Sequence, residues 1–158
     1  MSCLIGMFAL PSGSTSRSTN QTNISQTNPA ALTRLEYYRV YSDSNGITHL
    51  DTVRVEQNLM RAAPPAAPFY VSADNPSSRY LFYTFEPGWI GEPHPAPHRQ
   101  FLILLSGKVE VETGDCAVKR LGPGAIVLLE DTWGKGHTTR NIGDGYADFL
   151  VVRAPATG

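Results

Sequence analysis

Between residues 35 and 153 the chain is a succession of short β-branched and aromatic runs cut by glycine, proline and aspartate turns. No stretch keeps a helical period for ten residues. Strands are expected over residues 35–40, 47–55, 80–85, 100–105, 108–112, 116–121, 125–129 and 146–153. Ser42-Asp-Ser-Asn-Gly46 is a hairpin turn cluster, and Thr113-Gly-Asp115 and Ser106-Gly107 read as hairpin turns too. Strand after strand at this spacing folds as an antiparallel sandwich or barrel, so the expectation is an all-β jelly roll with an N-terminal β-hairpin extension. The alanine- and proline-rich stretch 61–68 interrupts regular structure and is expected to wrap the barrel.

With 158 residues, 41% of them hydrophobic and 17% charged, the chain has material for one good core and not two. Residues 11–31 are rich in Ser, Thr and Asn and hold almost nothing to bury, so 1–31 is expected to be a disordered leader. A single domain over 32–158 follows, with its barrel core at about 69–154. A net charge of -1 generates no broad field for phosphate backbones or acidic membranes, so neither nucleic acid nor membrane is an expected partner. Two cysteines, Cys3 and Cys116, make neither a disulfide framework nor a cysteine metal pattern. The apolar run in residues 1–10 has no basic residue before it and no small-residue cleavage site after it, so the expectation is a cytoplasmic protein.

Two stretches, 88–107 and 124–141, carry the chemistry. In the first, Gly88 precedes His94 with five residues between, and Gln100 is followed by Gly107 after six more. In the second, Gly122-Pro-Gly124 opens a strand over 125–129, and the stretch ends on His137-Thr-Thr-Arg-Asn141. These spacings resemble the two motifs of the cupin superfamily, small single-domain barrels in which three histidines and a glutamate hold a metal. The departures are specific. Ala96 stands in the place of the second histidine, Gln100 in that of the glutamate, and Glu130-Asp-Thr-Trp-Gly-Lys-Gly136 replaces the usual proline-x-glycine before the last histidine.

The resemblance implies that His94, Gln100 and His137 converge inside the barrel, with His98 as a fourth candidate donor across a proline-bent segment. A divalent Fe, Mn, Ni or Zn ion would suit the imidazoles, but the lost ligand and lost carboxylate charge weaken its binding, and both a metal-bound and a metal-free site fit this donor set. Strand alternation puts Gln100, Leu102 and Leu104 on the lumen face. Tyr83 and Lys135 join His94, His137 and Gln100 as catalytic candidates, and Trp89, Arg99, Leu102, Leu104, Glu130 and Trp133 are candidates for the substrate pocket. Few polar groups in an apolar lumen describe a small-molecule site. Its expected chemistry is non-oxidative proton transfer, that of a lyase or isomerase acting on a small oxygenated metabolite. A non-catalytic binding or sensing module and a metal-dependent dioxygenase are the alternatives. The resemblance also implies a homodimer, with the N-terminal hairpin adding to its interface.

Overall fold

A computed structural model describes residues 31–156; the leader expected over 1–31 falls, but for its last residue, outside them. Ten strands follow in order: β1 Leu32–Ser42, β2 Thr48–Met60, β3 Phe69–Val71, β4 Arg79–Phe85, β5 Gln100–Ser106, β6 Val109–Glu112, β7 Val118–Leu121, β8 Ile126–Leu129, β9 Thr138–Asn141 and β10 Ala147–Arg153. No helix is present among the described residues, so none is long and apolar enough to cross a membrane. The strands form a seven-stranded sheet, β3-β2-β1-β8-β5-β10-β4, facing a three-stranded one, β7-β6-β9. The expected all-β jelly roll is what the chain adopts.

The core lies between the sheets. Val40, Leu104, Val127, Leu129, Phe149 and Val151 point inward from the large sheet and meet Val109, Val111 and Leu121 from the small one. Each follows from alternation: on β10, Ala147, Phe149 and Val151 are buried while Asp148 and Leu150 turn outward. Fully burying such a side chain contributes about 1.5–3 kcal/mol, and this shared interior holds the two sheets together.

The Asp43–Gly46 turn forms as its residues dictate. The Asp43 carboxylate accepts from the amides of Asn45 and Ile47 at 2.8 and 3.0 Å, and Gly46 takes a left-handed φ of 77°. Two expectations are corrected. Ser106-Gly107 is not a hairpin, because β5 and β6 belong to different sheets; Gly107, at φ 85°, carries the chain from one to the other. Residues 61–68 do not wrap the barrel either. They connect β2 to β3, which pairs back antiparallel with Met60 opposite Phe69, so the short strand β3 was missed.

Candidate functional site

His94 lies in the long connection between β4 and β5, where prolines at 93, 95 and 97 remove every second amide donor. The donors that survive are used. His94 N–H and His137 N–H each bond the other's carbonyl at 3.1 Å, and Ala96 N–H bonds Asp131 O at 2.9 Å. The segment therefore lies as an extended edge along β9, and the two histidines become neighbours, with ring centroids 5.2 Å apart. Gly136 is required here. It sits at φ 73°, and a Cβ would overlap the His94 carbonyl.

Residues 130–136, which lead into His137, are clamped by the β1–β2 hairpin. Glu130 N–H donates to Val40 O at 2.7 Å, Ser42 Oγ to Trp133 O at 2.7 Å, Lys135 N–H to Gly46 O at 2.9 Å and the fully buried Thr48 Oγ1 to Gly136 O at 2.6 Å.

The clamp buries Asp131 completely, at 0% exposure, behind His137, which is 4% exposed. His137 Nδ1–H donates to Asp131 Oδ2 at 2.7 Å, which fixes the tautomer and leaves Nε2 as the free ring nitrogen. The second Asp131 oxygen has no partner. His94 Nδ1–H donates to Glu92 O at 2.7 Å, so its Nε2 is free as well. Gln100 opens β5 facing inward and is 2% exposed, and its Oε1 has no partner.

Both histidines and Gln100 line one cavity of about 180 Å³, together with Ala96, Tyr83 and Thr139. Its apolar wall is Phe85, Trp89, Leu102 and Leu129. Trp89 stacks on Phe85 at 3.9 Å between centroids, and Gly91 leaves the room its indole needs. The cavity is smaller than the ~300–1,000 Å³ typical of pockets for drug-sized ligands, so it suits a small metabolite. Asn141 ends β9, two residues beyond Thr139. Its Nδ2 donates to the carbonyls of Phe85, Glu86 and Gly145 at 2.8–3.2 Å, which ties β9 to the end of β4.

The structure brings together His94, His137, Gln100, Tyr83, Trp89 and Leu102, and separates the other sequence candidates. Leu104 is one alternation deeper and belongs to the core. His98, Arg99 and Glu130 line a different, polar cavity beyond Pro97. There Glu130 is bonded by Arg39 and by Arg99, the latter at 2.7 Å. Burial pushes the Glu130 carboxyl up, and the two guanidinium hydrogen bonds outweigh it, so its pKa falls below the usual value. Lys135 is exposed and faces another cleft beside Pro93 and Cys116, and Trp133 packs on Gly46 outside the pocket. Asp131 is the residue that motif spacing did not single out. No periodicity marks it, since it is buried only because the loop is held against the β1–β2 hairpin.

Residues 81–153 match the model of the cupin domain family. This match supports membership of the cupin superfamily. Among solved structures it is similar to a cupin domain from Bordetella pertussis, at 20% identity over 53% of this chain and 88% of that one, TM-score 0.41. A conserved protein with a double-stranded β-helix domain from Klebsiella pneumoniae is 19% identical over 83% and 82%, TM-score 0.41. The CENP-C cupin domain of Drosophila melanogaster is 14% identical over 72% and 79%, TM-score 0.39. No curated protein matches the chain.

Cupins commonly hold a divalent metal at this end of the barrel. Here the donors on the cavity are two imidazoles and a neutral amide, and among the described residues no three His, Cys, Asp or Glu side chains converge for one ion. The adjacent carboxylate, Asp131, is engaged behind the His137 ring and offers its charge to the imidazole instead. Two imidazoles and a neutral amide lack the third histidine and the carboxylate charge of the full ligand set, so a cation here would be held more weakly.

Proposed function

We propose that this cupin is a small-molecule enzyme of the lyase or isomerase type, working by proton transfer from a substrate carbon or hydroxyl next to a carbonyl. One observation carries the reading: a wholly buried Asp131–His137 pair opens, through the free Nε2 of His137, onto a small apolar cavity. In such a pair the carboxylate holds the imidazole in the basic tautomer and stabilises the imidazolium formed when Nε2 takes a proton. The Gln100 amide supplies a hydrogen bond to the oxygen on which charge develops. His94, with the second free ring nitrogen, stands where a proton is relayed to a neighbouring atom of the substrate. Isomerisation follows when the proton returns to an adjacent carbon, and elimination when a leaving hydroxyl takes it. The wall of Phe85, Trp89, Leu102 and Leu129 gives the reacting atoms an apolar surround on one side, while His94 reaches solvent.

The test is deuterium wash-in. The full chain, treated with a chelator, is incubated in D2O with a panel of small α-hydroxy ketones and aldehydes, and the carbon-bound hydrogens are followed by proton NMR. Exchange that is abolished in His137→Gln supports the reading. Equal exchange in that variant, or activity that appears only with stoichiometric metal, overturns it. A panel member bound without exchange would assign the chain to the binding class instead.

A further inference from the structure

The inward face of the large sheet changes character at the Gln100 end of the barrel. Strand pairing aligns Leu129, Gln100, Arg153 and Arg79 in one row across β8, β5, β10 and β4. The neighbouring inward row, Val127, Leu102, Val151 and Leu81, is wholly apolar. Arg153 belongs to the inward series by alternation, since Ala147, Phe149 and Val151 of the same strand are buried and Arg153 is the next in step.

Two polar atoms in that row are buried without partners. One is Arg153 Nε, a donor, and the other is Gln100 Oε1, an acceptor on a side chain only 2% exposed. They occupy directly opposed positions, where Cβ atoms lie ~4.5–5.5 Å apart, yet they do not satisfy each other. Gln100 also lines the cavity that holds the free Nε2 of His137. Native folds keep few buried polar groups unpaired, so a donor and an acceptor left side by side at a cavity describe the ligand that completes them.

Charge points the same way. Ion pairs among the described residues take up Arg39, Arg99, Arg120 and Arg140, and neither Arg153 nor Arg79. These two stand directly opposite each other on β10 and β4, and like charges so placed repel. An anionic group beside them turns that repulsion into attraction.

We propose that the substrate is a small carboxylate that also carries a hydroxyl beside its carbonyl, and that Arg153 anchors it. The planar guanidinium matches the two carboxylate oxygens, Arg79 adds positive charge, and Gln100 Oε1 accepts from the substrate hydroxyl. The Gln100 amide N–H remains for the carbonyl oxygen. This assignment rests on the proton-transfer reading of His137 and names the substrate class that reading would act on.

Ligand-observed NMR titration of the full chain with hydroxypyruvate and with hydroxyacetone tests it, since the two differ only in a carboxylate against a methyl group on the same α-hydroxy ketone. The wild type should bind the acid about 10- to 100-fold more tightly, the worth of a charge-assisted hydrogen bond. Arg153→Gln should erase the preference and leave hydroxyacetone unaffected. Arg153→Lys, which keeps the charge and loses the fork, should retain part of it. Arg79→Gln, at an exposed position, should weaken the acid alone by about 2- to 5-fold. If Arg153→Gln does not fold by circular dichroism, Arg79→Gln carries the test, and unchanged acid affinity there overturns the proposal. So does a wild type without preference for the acid, a preference that survives Arg153→Gln, or an equal loss for both ligands. Dihydroxyacetone phosphate bound more tightly than hydroxypyruvate overturns it too, by making the anion a phosphate. Deuterium exchange on the same samples separates the two readings: acid preference that depends on Arg153, with no exchange in the wild type, upholds the anchor and removes proton transfer.

Discussion

Asp131→Asn separates a catalytic aspartate from a structural one. The side chain is wholly enclosed, with one oxygen on His137 Nδ1 at 2.7 Å and the other unpartnered. The substitution is isosteric, so no cavity opens. It removes a hydrogen bond to a charged group, which contributes about 1.5–3 kcal/mol. It also removes a buried charge left partly unsatisfied, whose desolvation costs several kcal/mol and opposes folding. These terms offset each other, and stability should change by no more than about 1 kcal/mol. Function should respond very differently. An amide can present N–H to the ring, which turns Nδ1 into the acceptor and puts the proton on Nε2, where the base is needed. The rate of proton transfer should fall about 10²- to 10⁴-fold. Long-range ¹H–¹⁵N correlation of the imidazoles reads the tautomer of His137, and urea denaturation reads stability on the same sample. Full activity with an unchanged tautomer would refute the reasoning, as would a loss of more than about 3 kcal/mol, the full worth of such a hydrogen bond.

Asn141→Ala removes the donor to three carbonyls and the acceptor for Gly143 N–H. At about 1 kcal/mol for each lost bond it should cost about 2–4 kcal/mol and lower Tm by about 5–12 °C in a thermal scan. An unchanged Tm would mean that β4 and β9 are held by other contacts. His49 lies between Asp43 and Asp115, whose hydrogen bonds raise its pKa, while both aspartates are lowered, chiefly by bonds from Ile47 N–H and Thr113 Oγ1 respectively. A histidine raised on folding contributes stability that is full below its unfolded pKa of about 6.5 and is lost as pH rises through the higher folded value. The aspartates contribute above about 3.8 and lose it as pH falls through their folded values. Urea midpoints should therefore decline from mildly acidic to alkaline pH, and His49→Gln should flatten that decline. A slope identical in the variant would remove His49 from the account.

The barrel was legible because its strands announce themselves locally. β-branched runs between glycine turns survive any tertiary context, as β4, β5, β8 and β10 show. β9 was not legible, since Thr138-Thr-Arg-Asn141 has no hydrophobic alternation and is a strand only because β6 on one side and the His94 segment on the other supply its partners. The site divides the same way. His94, Gln100 and His137 could be placed from motif spacing, and alternation put Gln100 and Leu102 on the cavity. Glu130 and Asp131 could not be told apart in advance. They are adjacent carboxylates in one polar loop, yet one is held by two arginines at the rim while the other is sealed behind an imidazole. Contacts more than eighty residues away in sequence, from the β1–β2 hairpin, decide which is which.

Those contacts also bear on where the functional unit begins. The cupin match starts at residue 81, but the loop that presents Asp131 and His137 is held by Val40, Ser42, Gly46 and Thr48. Thr48 Oγ1 is central to that clamp. It donates to Gly136 O and accepts from Gly114 N–H, so one buried hydroxyl ties the loop before His137 to the β6–β7 turn. Without it two backbone groups lose their partner, at about 1–3 kcal/mol for each that stays buried. Those groups flank the residue whose ring must stay aligned on Asp131. The barrel strands supply the walls of the cavity, and the hairpin supplies the alignment of its base.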